Sequence, residues 1–309
     1  MLKEKIAAHK PGILTYAITP PKLDHPAEKI LEITRKHIER IKPLDIDGLI
    51  IYDIQDEMDR QMEERPFPYL ETIDSATYSA EYLKELNVPK VVYRCVGKYT
   101  EEQLAGWLQS DLEHDQFSVF VGASSGKQAV NLKLPEAYNI AANQAGRLTL
   151  GGVVIPERHI KNGDEHLRLI SKERNGCSFF VSQVIYNVEA SKNFLSDYYY
   201  YCCSHGVEMK PILFTVSPCG SGKTLEFMKW LGINVPRWME NDLTHSADIL
   251  DQSINLSKRI FEELLDFALE KGIPIGCNVE SVSVRKVEIE ASVELTKDIR
   301  AMMEKKFKQ

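Results

Sequence analysis

Eight short runs of β-branched and aromatic residues, separated by stretches with helical spacing, constrain this 309-residue chain more than any other feature. By length and period the runs read as buried strands at 12–18, 47–52, 90–96, 117–122, 148–155, 177–184, 209–215 and 273–279. The segments between them have helix signatures. Ile30, Ile33, Ile38 and Ile41 fall on one face of a helix after the first run. Thr100 and Gln103 have the form of a capping box, Asp164 and Asn187 stand where helix N-caps are expected, and Gly176 and Gly206 stand where those helices end. Two further amphipathic helices are predicted over 253–270 and 288–305. Strand–helix alternation repeated eight times, joined by right-handed crossovers, predicts an α/β fold of the (β/α)8 TIM-barrel type, with an open doubly wound sheet as the alternative. No composition shift or Pro/Ser-rich linker divides the chain, so residues 1–309 are expected to form a single barrel domain with a short N-terminal extension. In such a barrel the strand C-termini gather the functional side chains on one face.

Composition narrows the partners. With 43% apolar and 27% charged residues the chain can bury a full core, and 38 basic against 45 acidic residues give a net charge of −7. That charge suits neither nonspecific nucleic-acid binding nor an anionic membrane. The cysteines at 95, 177, 202, 203, 219 and 277 lack the spacing of a disulfide framework and are expected to be reduced thiols. No apolar run approaches the ~20 residues of a membrane span and no signal-type segment opens the chain, so a cytoplasmic location is expected.

Several motifs carry possible chemistry. Ser217-Pro-Cys-Gly-Ser-Gly-Lys223-Thr224 looks like a phosphate loop, but Ser217 stands where that loop requires Gly, and Pro218 removes a backbone donor. An ordinary glycine-rich strand-to-helix loop is the simpler reading. Pro156-Glu157-Arg158-His159, with Asp164, Glu165, Arg168 and Lys172 beyond it, could hold an anionic ligand or be solvated helix surface. Gln183 ends an apolar strand, and an amide buried there can read a ring edge with both donors and acceptors. Tyr52-Asp53-Ile-Gln-Asp56-Glu57 ends the second strand with three carboxylates, one of which could be a general acid. Cys202-Cys203-Ser-His205 lacks a second ligand pair at zinc spacing, so no metal is expected there, and no Gly-x-Ser-x-Gly elbow supports a serine nucleophile.

With the barrel order in hand, the chain resembles the methylenetetrahydrofolate reductase family, most closely over 151–242. The residues that carry the likeness are Pro156-Glu157 with His159, Asn175-Gly176, Ser182-Gln183, Asn187-Val188-Glu189, and Phe227 with Asn234-Val-Pro236-Arg-Trp238. Tyr16-Ala-Ile-Thr-Pro20-Pro21 and Arg285 match more loosely. The resemblance implies a flavoprotein that reduces 5,10-methylenetetrahydrofolate to 5-methyltetrahydrofolate in one-carbon metabolism, with FAD as cofactor and NADH or NADPH as electron donor. It assigns Gln183 and Phe227 to orientation of the pterin during catalysis, and Lys223 and Arg285 to the folate substrate. Tyr93, Gly122, His159, Glu165 and Lys172 would contact FAD.

Three positions depart from the family pattern. Ala17 stands where relatives have a Glu that assists opening of the imidazolidine ring, and Val121-Gly122-Ala123 replaces Arg-Gly-Asp beside the flavin. Tyr93 replaces a His. Asp53, Asp56 and Glu280, all near predicted strand ends, are candidates for the missing acid. The competing expectation is a non-redox folate-binding homologue, or a subunit that needs a partner to supply electrons or the acid. A pterin methyltransferase on the same barrel is a third class, and assembly as a homo-oligomer or with an electron-donor subunit accompanies the reductase expectation.

Overall fold

All eight runs are strands of one parallel barrel. The computed structural model describes residues 1–56, 65–110, 116–123, 129–143 and 147–308. The strands are β1 (Leu14–Ile18), β2 (Gly48–Ile51), β3 (Lys90–Cys95), β4 (Gln116–Val121), β5 (Leu148–Val154), β6 (Cys177–Val184), β7 (Ile212–Val216) and β8 (Ile275–Val279). They pair in chain order, and β8 closes on β1. The described helices are α1 (Leu2–Ala7), α2 (Ala27–Ile41), α3 (Ser75–Thr77), α4 (Glu101–Ser110), α5 (Leu134–Ala142), α6 (Pro156–Asn162), α7 (Glu165–Arg174), α8 (Val188–His205), α9 (Gly222–Trp230), α10 (Arg237–His245), α11 (Ile249–Lys271) and α12 (Lys286–Phe307). The fold is therefore the (β/α)8 barrel, not the open sheet.

Local chemistry sets the element boundaries. β1 begins two residues later than its pattern suggests, because Gly12 adopts a φ of +80°, a conformation incompatible with an extended strand. Pro211 and Pro274 lack an N–H to donate, and β7 and β8 start just after them. The capping box forms, with Thr100 N–H donating to Gln103 Oε1 at 2.9 Å and Gln103 N–H to Thr100 Oγ1 at 3.3 Å. Asn187 caps α8 by accepting from the Ala190 N–H at 3.1 Å. Asp164 departs from expectation: it precedes α7 without a side-chain cap bond, since its φ of −121° and ψ of 3° are not the extended geometry of a working cap.

Strand alternation divides the core in two. Inward-facing Ala17, Ile50, Val91, Tyr93, Phe117, Val119, Phe179, Val181 and Leu213 fill the barrel, while Leu14, Tyr16, Leu49, Ile51, Phe120, Phe180 and Phe214 face the helices. The N-terminal extension is a plug. Leu2 and Ile6 of α1, each 2% exposed, join the interior cluster beside Gly48, at the N-terminal end of β2. Burial of each such side chain is worth about 1.5–3 kcal/mol. With that end stoppered, the opposite end, at the strand C-termini, is the one available to a ligand.

Gly276 shows how tightly the seam is closed. A Cβ placed there would lie 2.2 Å from the Ile13 carbonyl oxygen and 2.7 Å from Leu213 Cδ2. Since backbone cannot move aside as a flexible side chain can, Gly276→Ala is expected to lower stability by about 3 kcal/mol. A urea titration with an unchanged slope and a lowered midpoint would report it; an unshifted midpoint would contradict the packing described.

Candidate functional site at the barrel mouth

A polar layer lies at the C-terminal end of the barrel interior. Asn278 on β8 accepts from Thr15 Oγ1 of β1 at 2.9 Å and donates to Tyr52 Oη at 3.1 Å and to Thr215 Oγ1 of β7 at 3.2 Å. Tyr52 also hydrogen-bonds Glu280, and its ring meets Tyr93 edge-on at 4.8 Å. Burial raises the Glu280 carboxyl from 4.5 to about 7, a shift that the hydrogen bond from Tyr52 partly offsets. Burial, and Glu280 beside them, raise the Tyr52 and Tyr93 hydroxyls well above their ordinary value. The floor is thus a carboxyl that gains or loses a proton near neutrality, ringed by neutral hydroxyls and an amide.

Of the three acids predicted near strand ends, only Glu280 has this character. Asp53 accepts from the Cys95 N–H at 2.8 Å, from Tyr99 Oη at 2.8 Å and from Lys98 Nζ at 2.6 Å, so its oxygens are occupied in tying the ends of β2 and β3. Asp56 is exposed beyond β2, and Glu57 lies outside the described residues. The register of β1 against β8 pairs Thr15 with Asn278 and Tyr16 with Val279. That is the last pair, and Ala17 on β1 and Glu280 just beyond β8 are the residues that follow it.

The wall of the mouth comes from β6, α9 and the segment after β2. Gln183 donates from Nε2 to the Leu231 carbonyl at 2.7 Å, and its Oε1 is buried without a hydrogen-bond partner. Leu231 in turn donates its N–H to the Phe227 carbonyl, so Gln183 and Phe227 occupy the same end of the molecule. Phe227 stacks along its own helix on Trp230 at 6.1 Å and meets Phe67 edge-on at 5.2 Å. The Arg65 guanidinium lies 5.3 Å from the Phe227 ring and 5.2 Å from that of Trp230, and Lys223 Nζ lies 4.7 Å from Phe67. Sequence reading missed Phe67 and Trp230, although the i, i+3 spacing of Phe227 and Trp230 on a helix is a usable signal.

The loop that carries Lys223 is locked from behind. Glu288 of α12, fully buried, accepts from the Gly220 N–H, from Thr224 Oγ1 at 2.8 Å and from the Ser283 hydroxyl. Cys219 N–H donates to Ser253 Oγ at 2.8 Å, and Ser221 Oγ accepts from the Thr224 N–H at 3.1 Å. Protein groups already satisfy these backbone donors, which agrees with setting the phosphate-loop reading aside. Arg285 is exposed and donates to the Gly220 carbonyl at 3.1 Å, so it and Lys223 stand on the rim.

The positions that the resemblance assigns to FAD do not line one surface. Tyr93 faces the interior floor, and the Gly122 carbonyl at the end of β4 accepts from Gln55 at 3.2 Å. Lys172 passes over the outer face of Gly152 and donates to the Val153 carbonyl, and Glu165 accepts from the Ile155 N–H at 2.8 Å. Burial raises the Glu165 carboxyl and lowers the Lys172 ammonium. His159 turns to Asp197 on α8, with Nε2 to Oδ2 at 2.9 Å. These three belong to the layer between β5 and its covering helices, and as arranged the five residues do not form a flavin cradle. Among the described residues no disulfide joins any of the six cysteines, and no helix is long and apolar enough to cross a membrane.

These features define a (β/α)8 barrel protein with an ionisable floor and an aromatic, cationic wall at its open mouth. A solved protein from Clostridium thermocellum, described as uncharacterized and as binding two copies of 5-methyl-5,6,7,8-tetrahydrofolic acid, is 57% identical, with a TM-score of 0.89 over 98% of this chain and 100% of its own. The chain belongs to the same family as that protein. An F420-dependent secondary alcohol dehydrogenase is 8% identical with a TM-score of 0.51, covering 94% of this chain and 99% of its own, and shares the fold alone. No protein-family model matches the chain, and no curated protein does.

The carboxyl on the floor has a stability signature. Its folded value near 7 exceeds the 4.5 of the free side chain, so between those values the native state holds a proton that the unfolded chain has released. Stability contributed by this site is present at pH 4 and is lost as pH rises through 7, by at most about 3 kcal/mol. Thermal melts from pH 5 to 8 should show Glu280→Gln gaining on the native protein as pH rises; parallel curves would refute the assignment.

Proposed function

We propose that this chain binds a reduced folate in the barrel mouth. The observation that carries the reading is the 5-methyltetrahydrofolate bound by its 57%-identical relative; the polar floor and the aromatic wall supply the matching chemistry. A pterin is a flat bicyclic ring whose pyrimidine edge presents adjacent N–H and amino donors. The ionised Glu280 carboxylate can accept both, and the unpartnered Gln183 Oε1 can accept a further one. Phe227, packed between Trp230 and Phe67, backs the wall of the mouth, while Lys223 and Arg285 on the rim can meet the carboxylates of the glutamate tail.

Calorimetry with 5-methyltetrahydrofolate tests this directly. The native protein should bind it saturably, and Phe227→Ala should weaken binding about tenfold, or about 1.4 kcal/mol. Because the acceptor form of Glu280 gains population through pH 7, native affinity should rise from pH 6 to pH 8 and that of Glu280→Gln should stay flat. Absence of saturable binding would reject the proposal.

A second reading, a reductase acting on 5,10-methylenetetrahydrofolate, is favoured by one observation: Glu280 and Ala17 are the residues that follow the last pair of the β8–β1 seam, Tyr16 with Val279. Protonated, it could donate to the folate nitrogen released as the imidazolidine ring opens, a contribution of about 10²- to 10⁴-fold. The hydride donor, NADH or NADPH, and FAD belong to this reading only, and the scattered FAD positions weigh against the flavin. An absorbance spectrum recorded with and without added FAD separates the two readings. Protein that is colourless and takes up no flavin is a folate-binding protein without flavin chemistry.

A further inference from the structure

On the outside of the barrel, away from the mouth, His159 of α6, His166 of α7 and Asp197 of α8 bring one ring nitrogen each and a carboxylate oxygen to within 4.8 Å of one another. Their unsatisfied chemistry distinguishes the cluster from an ordinary ion pair. His159 is 6% exposed, yet its Nδ1 has no hydrogen-bond partner, and the same holds for the buried Nδ1 of His166. Asp164, whose charge acts on His166, has a buried Oδ1 without a partner as well, and it is the residue that fails to cap α7. Orphaned buried polar atoms are uncommon; with His159 turned to Asp197 through Nε2, the orphan that an ion between the three side chains would meet is the His166 Nδ1.

The spacing suits a metal ion. Two ligands bound at about 2.0–2.2 Å and roughly at right angles are about 3 Å apart, and His159 Nε2 and Asp197 Oδ2 are 2.9 Å apart. The imidazoles meet edge-on at 76°, with centroids 5.4 Å apart. A cavity of about 360 Å³, lined by His159, Ile160, Asn193, Ser196 and Asp197, opens beside His159 and Asp197 and leaves room for water to complete the coordination shell. Two imidazoles and a carboxylate are a borderline-soft donor set, suited to zinc and its first-row neighbours and not to magnesium or calcium.

We propose that His159, His166 and Asp197 form a divalent transition-metal site that pins α6, α7 and α8 together on the outer face of the barrel. The site is independent of folate binding, since none of its residues belongs to the mouth.

Untagged, chelator-stripped protein carrying Cys203→Ser, which removes the exposed thiol, should take up one equivalent of zinc by calorimetry and melt at a higher temperature with zinc but not with magnesium. Cobalt should bind there with a visible ligand-field spectrum. His166→Ala and Asp197→Ala, at half-buried and exposed positions, should each weaken zinc binding at least tenfold and leave 5-methyltetrahydrofolate binding unchanged. The proposal is overturned if the stripped protein shows no saturable zinc uptake, or if both variants bind zinc as tightly as their parent.

Discussion

The rim of this barrel depends on the hydrogen bonds of one carboxamide. Asn278 is fully buried and joins its own strand to β1, β2 and β7 through Thr15, Tyr52 and Thr215. An interior amide must be paired or pay its desolvation in full, so these three contacts fix which way Tyr52 points. Tyr52 then presents its hydroxyl to Glu280. The position and the proton affinity of the floor carboxyl thus follow from closure of the β8–β1 seam, which is also where Gly276 leaves no space for a methyl group.

Three buried or half-buried carboxylates surround the mouth, and their partners give them three different roles. Asp53 meets a lysine, a tyrosine and a backbone N–H and so braces strand ends. Glu288 gathers a backbone N–H and two hydroxyls to hold the loop before α9. Among the described residues Glu280 takes a hydrogen bond from Tyr52, and burial dominates, raising its carboxyl to about 7. An acid with unmet hydrogen-bonding capacity in an open, aromatic-walled mouth is suited to a ligand; acids that are fully partnered are suited to architecture.

The fold was legible because it repeats. Eight strand patterns and their crossovers admit few topologies, and the strand starts that shift by two or three residues lie beside Gly12, Pro211 and Pro274, where one residue's backbone chemistry decides; the other ends shift by at most one residue. The site was legible in part. Strand order sets Gln183 at the C-terminal end of β6 and the family resemblance sets Phe227 with it, but period-2 patterning does not say that Asn278 would reach Thr15, Tyr52 and Thr215. A lone Glu at 288 on an amphipathic helix looks the same as a solvated one until the loop folded over it is seen. His159, Glu165 and Lys172 were expected together by their order in the chain, and they are near one another, yet on the outer side of β5. Chain position cannot distinguish a side chain that crosses over a strand from one that reaches beyond its tip.

On the reductase reading, Glu280 just beyond β8 would take the place of an acid at Ala17 on β1. Adjacent strands lie about 4.8 Å apart, and residues level with one another point into the same mouth. A carboxyl moved from β1 to β8 therefore stays within reach of a bound ring but addresses it from a different azimuth. The alanine methyl left behind occupies little of the floor, and Tyr93 and Tyr52 pack toward it in the interior cluster. Such a floor can still grip or protonate a pterin at the pyrimidine edge. On the proposed reading, the azimuth of Glu280 would decide whether a ring held at its pyrimidine edge also presents its reactive carbon.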